Sequence, residues 1–105
     1  MNLLVNEHPE ARDEYLDAVE YLDSRSEGLG DRFIDHVEDA LGDIVEDPTG
    51  WMKVPWWEGP PTLRWRTVGP FRTHVVYRLV DDEIHVVAYA HETREPGYWR
   101  HRLED

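Results

Sequence analysis

Two alternating runs, FRTHVVYRLV (71–80) and EIHVVAYAH (83–91), meet at Asp81-Asp82, and no other feature limits the fold as tightly. A two-residue connection closes a β-hairpin and sets its register. That register predicts an apolar face on which Leu79 meets Ile84, Tyr77 meets Val86, Val75 meets Ala88 and Thr73 meets Ala90. On the other face Arg78 meets His85, Val76 meets Val87, His74 meets Tyr89 and Arg72 meets His91. Side chains alternate with period two, so a slip of one residue would invert both faces.

The hairpin needs something to cover its apolar face, and the first half of the chain supplies it. NLLV (2–5) suits a short first strand, and Pro9 suits the first position of a helix. Ala11, Tyr15, Ala18, Val19 and Leu22 then recur at helical spacing, with Arg12, Asp13, Glu14, Asp17 and Glu20 mostly outward. SRSEGLG breaks this helix at Gly28 and Gly30. In a second helix Phe33, Val37, Leu41 and Ile44 repeat until Asp47-Pro48 ends it. The expected architecture is α+β: a helical hairpin on one face of a small, mostly antiparallel twisted sheet in the order β-α-α-β-β-β, with a short C-terminal helix.

At 105 residues the chain is expected to be one domain, 1–105. It has no cysteine, which removes disulfides and thiolate chemistry. No apolar run approaches the length of a membrane span, and the start MNLLVNEHPE has no signal-type core, so a cytoplasmic protein without membrane contact is expected. The net charge of −12 is unevenly placed: residues 1–50 hold 15 acids against three arginines, whereas residues 51–105 hold eight of each sign. A field of this sign opposes general nucleic-acid binding; it reads as a solvated acidic helical surface or as one that greets a basic partner segment.

PTGWMKVPWWEGPP (48–61) is a proline- and tryptophan-rich loop whose Trp51, Trp56 and Trp57 are expected to lid a small core rather than stack on bases. TLRWRTV (62–68) follows as a strand. An odd-length connection or a bulge at Gly69-Pro70 would put Arg64 and Arg66 on the same face as Arg72, leaving Leu63 and Trp65 for the core. In the tail, Trp99 and Leu103 sit four apart and would pin a short helix beginning near Pro96, leaving Arg94, Arg100 and Arg102 exposed.

The sheet would thus turn outward a surface bearing Arg64, Arg66, Arg72 and Arg78 with His74, His85, His91 and Tyr89. Cleavage of RNA through its own 2′-hydroxyl needs a proton acceptor, a proton donor and cations around the phosphate. Arginine forks match phosphate oxygens, and histidine is the usual proton carrier near neutral pH. His91 is the candidate base or acid, with Tyr89 assisting, Arg66 and Arg72 on the scissile phosphate, and Arg64, Arg78, Arg94 and Arg102 as further substrate contacts. The bland alternative is that these arginines pair with Glu83, Glu92 and Glu95. His74, His85 and His91 lack a helical i, i+4 spacing and a companion carboxylate, so no metal and no other cofactor is expected.

Three stretches together resemble the RelE/ParE toxins of type II toxin–antitoxin pairs. GLGDRFIDHVEDALGDIVEDP resembles the family's second helix, LRWRTVGPFRTHVVYRL its central strands, and VVAYAHETREPGYWRHR its ending, through His91, Arg94, Pro96, Trp99 and Arg102. The resemblance covers nearly the whole chain. It implies a growth-inhibiting toxin, neutralised by and complexed with a cognate antitoxin. RelE-like members cut messenger RNA on the ribosome; ParE-like members poison DNA gyrase and largely lack that catalytic set. The ending is more similar to members called ParE-like or plasmid-stabilising. The acidity departs from a family whose members are usually neutral to basic, which leaves a non-toxic, protein-binding homologue as the alternative.

Overall fold

Pro9 begins helix α1 (Pro9–Arg25) because its missing N–H is not needed there, and the His8 ring Nδ1 accepts the Glu10 amide at 3.1 Å as the cap. The computed structural model describes residues 4–104. A short strand β1 (Val5–Glu7) precedes α1, so only Val5 of the expected 2–5 strand lies in it; residues 1–3 fall outside the described residues. Helix α2 (Leu29–Glu46) starts after Gly28, whose φ of 85° lets the chain reverse. Gly30, expected in the break, lies inside α2 instead. There its amide donates to Asp23 Oδ1 at 2.8 Å, and a Cβ would collide with that carboxylate at 2.7 Å.

Strands β2 (Arg64–Thr67), β3 (Thr73–Val80) and β4 (Glu83–His91) complete a four-stranded mixed sheet in the order β1-β4-β3-β2. β1 runs parallel to β4, and the other pairs are antiparallel. The architecture is therefore α+β in the order β-α-α-β-β-β. The tail forms a 3-10 turn at Arg100–Glu104 in place of the expected helix. The helices cover one face of the sheet, where Phe33, Val37, Ile44, Val75, Tyr77, Ile84, Val86 and Tyr89 make the main core. No helix among the described residues is long and apolar enough to cross a membrane.

The Asp81-Asp82 turn forms as read, with both residues at positive φ (50° and 65°), the twist a two-residue hairpin needs. Its register holds for Leu79↔Ile84, Arg78↔His85 and Tyr77↔Val86, then shifts by one between Val76 and Tyr77. Beyond that bulge Val76 meets Ala88, Val75 meets Tyr89, His74 meets Ala90 and Thr73 meets His91. The expected pairs Val75–Ala88, Thr73–Ala90, Val76–Val87, His74–Tyr89 and Arg72–His91 are thereby corrected. An extra residue reverses the facing of everything after it on its strand, so Tyr89 turns to the helices while Ala88 and Ala90 join Val87 on the other face.

That other face is not open. Val54, Leu63, Val76, Val87, Ala88, Ala90 and Trp99 form a second core, roofed by Trp57, Trp65, Tyr98 and Leu103. The tryptophan loop and the tail thus lid this side, as expected for Trp57, whereas Trp99 and Leu103, expected to pin the tail at the sheet edge, pack into the second core on its face. Trp51 packs against the helix-side core, and Trp56 stays 40% exposed.

Candidate functional site

The connection from β2 to β3 decides where the arginines go. Val68 N–H donates to the Thr73 carbonyl at 2.8 Å, which closes an even loop over Gly69–Phe71 and Arg72. Arg64 therefore pairs with Tyr77 and Arg66 with Val75, on the helix side. This corrects the odd-loop expectation. Leu63 and Trp65 do become core residues, but of the second core.

Arg66 is held there by Asp43 of α2, Nη2 to Oδ2 at 2.7 Å, with its guanidinium 5.0 Å from the Trp51 ring centre. Arg64 donates Nη1 to the Trp51 carbonyl at 2.8 Å. Neither stands with Arg72. Tyr89 is buried, and its hydroxyl donates to Glu7 Oε2 at 2.5 Å; burial first and the carboxylate second push its pKa far up. It is no accessible proton donor. Arg102, expected to be exposed, is buried, with Nη1 and Nη2 on the two Glu14 oxygens at 2.8 and 3.1 Å and Nη1 on the Val87 carbonyl at 3.1 Å. Arg78 lies across from His85 near the hairpin turn, at the far end of β4 from His91.

What the fold does bring together lies at the C-terminal end of β4. Arg72 takes a left-handed backbone (φ 55°) just before β3, and its carbonyl accepts the Glu92 amide at 2.8 Å. Its Nε donates to Glu92 Oε2 at 2.9 Å, so the alternative pairing with Glu92 holds for this residue. The hydrogen bond and charge of Arg72 hold the Glu92 carboxyl below its ordinary value. His91 is exposed beside this pair, its Nδ1 2.9 Å from Thr93 Oγ1. His74 stacks on Trp65 with ring centres 4.1 Å apart, and desolvation lowers its pKa so that the neutral ring is favoured.

Two concavities meet at His91. On the helix side a groove of about 530 Å³ runs past Tyr21, Tyr89, His91, Arg94 and Tyr98. On the other side a cleft of about 160 Å³ is walled by Trp56, Trp65, His74, His91, Arg94 and Tyr98. The Arg94 guanidinium lies 3.9 Å from the Tyr98 ring centre, a cation–π contact, and its Nη1 lies 3.9 Å from Glu14 Oε2, a long pair at the exposed rim. Of the expected site, His91, Arg72 and Arg94 therefore share one end of the molecule, while Tyr89, Arg66, Arg64, Arg78 and Arg102 do not.

Reading the residues missed the acids that occupy the cations: Glu7, Glu14, Asp43 and, in part, Glu92. Glu14 carried a signal, since it stands three residues after Ala11 and four before Ala18, inside the apolar stripe of α1. Among the described residues no group of His, Cys, Asp or Glu side chains is placed to hold a metal. Neither a protein-family model nor a curated protein matches the chain.

Proposed function

We propose that this protein is a toxin of the RelE/ParE kind, neutralised by a cognate antitoxin, and that it arrests growth by binding DNA gyrase rather than by cutting RNA. The α+β order with β1 parallel to β4 agrees with the element order that carries the resemblance, and it leaves His91, Arg94, Pro96, Trp99 and Arg102 in one continuous segment. The observation that carries the choice of target is the occupation of the expected catalytic set. Tyr89 is spent on Glu7, Arg66 on Asp43 and Arg102 on Glu14, so the groups needed for phosphate binding and proton transfer do not converge. A protein that works by docking needs no such convergence.

Purified gyrase tests this directly. The toxin is expected to inhibit supercoiling and to raise the yield of cleaved, enzyme-linked DNA. Gyrase turning over unchanged at a tenfold molar excess of toxin rules out that target.

One observation favours a second reading, ribosome-dependent messenger RNA cleavage. His74, His91, Glu92 and Arg94 border an aromatic-walled cleft, and the Arg72 that Glu92 binds is exposed, so that pair is easily exchanged for a phosphate. Primer extension on cellular messages after induction separates the readings. Discrete new 5′ ends that vanish in His91→Ala would support cleavage. A protein that arrests neither growth nor either enzyme is the non-toxic binding module.

A further inference from the structure

The row Asn6, His85, Arg78 crosses three strands, β1, β4 and β3, on the face away from the helices. It lies at the opposite end of β4 from His91, six residues or about 20 Å along the strand. Arg102 reaches the same place, capping the Val87 carbonyl beside the bulge at 3.1 Å. Between these groups lies a cavity of about 110 Å³, bordered by Asn6, Glu7, Arg78, His85, Val87 and Arg102 among others.

Three basic side chains line this cavity, and each leaves one buried nitrogen without a hydrogen-bond partner: Arg78 Nε, His85 Nε2 and Arg102 Nε. A buried donor left unpaired costs about 1–3 kcal/mol, so three around one small space mark a place built for acceptor atoms. The Arg102 side chain is only 5% exposed and is held rigid by Glu14. Among the described residues Arg78 has no ion-pair partner, in a chain with about twice as many acids as bases. Of the nearby carboxylates, Glu7 takes the Tyr89 hydroxyl and Arg12, while Glu83 takes the Asn6 amide on one oxygen and stands with the other 3.8 Å from His85 Nε2, within ion-pair range but beyond hydrogen-bond distance.

We infer that this cavity binds a small tetrahedral oxyanion of the phosphate class, held chiefly by Arg78 and His85 and backed by the Arg102 charge. Its volume accommodates one such ion. Convergent guanidinium and imidazole donors in a partly desolvated space suit a compact oxyanion better than chloride. Occupancy would tie β1, β3, β4 and the tail together. The inference is independent of the gyrase reading.

Inorganic phosphate is the probe, titrated into the full chain at constant ionic strength set with sodium chloride. The His85 imidazole resonances are followed by NMR and the heat by calorimetry. Saturable changes in both are expected, with sulfate competing and acetate binding more weakly. Arg78→Leu should weaken phosphate about tenfold or more, and His85→Gln severalfold, with both variants remaining folded because each side chain is partly exposed. Arg78→Lys, which keeps the charge and loses the fork, should fall between. Resonances that drift linearly without saturating, variants that bind as the parent does, or acetate binding as tightly as phosphate would each overturn the assignment.

Discussion

Glu14 of α1 and Arg102 of the C-terminal turn form a two-pronged ion pair, at 2.8 and 3.1 Å, beside the edge of β4 that β1 is too short to cover. Glu14 also accepts the Tyr89 amide at 3.1 Å and the Tyr98 hydroxyl, while Arg102 caps the Val87 carbonyl. A strand edge inside a small protein leaves backbone groups that need partners, and here two charged side chains supply them. The pair therefore joins helix, sheet and tail at one point.

Removing either member alone leaves the other charge buried. Glu14→Ala or Arg102→Ala should each lower unfolding free energy by about 3–5 kcal/mol, measured by urea denaturation. The double variant should lose clearly less than the sum of the two, giving a coupling of about 1–3 kcal/mol. Additive losses would mean that the pair does not act as a unit.

Trp99 is 1% exposed and carries the second core with Trp57 and Trp56 at ring-centre distances of 5.5 and 5.8 Å. Trp99→Ala should cost about 3–5 kcal/mol and loosen the tail, read as faster amide exchange in 98–104. A loss under about 1 kcal/mol would mean that this face of the sheet is open.

Arg66 and Asp43 are paired at a partly exposed site, so Asp43→Ala should cost no more than about 1 kcal/mol. It should leave growth arrest unchanged. If freeing Arg66 instead creates new cleavage of messages, the cation was masked rather than structural, and the nuclease reading gains.

Burial pushes the Tyr77 hydroxyl, which donates to the Pro48 carbonyl at 2.7 Å, up to about 12. Tyr98 is pushed higher by burial and by Glu14. In the unfolded chain a tyrosine loses its proton near 10. The native state thus keeps protons that the unfolded state has shed, so this contribution is intact below pH 10 and is lost as pH rises toward 12. Stability measured by denaturant should fall over that window, and Tyr77→Phe should flatten part of the slope. A flat profile across pH 10–12 would contradict the buried hydroxyls.

The helices, the Asp81-Asp82 turn and the first three hairpin pairs were legible because periodicity and turn chemistry act locally. The bulge was not, because Val86, Val87 and Ala88 are apolar on both faces and alternation carries no signal there. That one extra residue moved Tyr89 inward and exposed the assumption that a hairpin facing helices has a wet reverse side. Leu63 and Trp65 were rightly read as core residues, yet a second core took them, which sent Arg64 and Arg66 to the helix side. Which arginines stay available depended on acids from α1 and α2 that sequence spacing alone does not bring to the sheet. His91, Arg72 and Arg94 still lie at one end of the molecule because the end of β4 meets the connection before β3 there, although the bulge set His91 opposite Thr73 instead of Arg72.

Growth after tightly controlled induction of the full chain, in cells lacking the partner gene, tests the central claim most directly. The account predicts arrest within a few generations, relieved when the cognate antitoxin is co-expressed. Cells dividing at the uninduced rate while the folded protein accumulates to high level would contradict it.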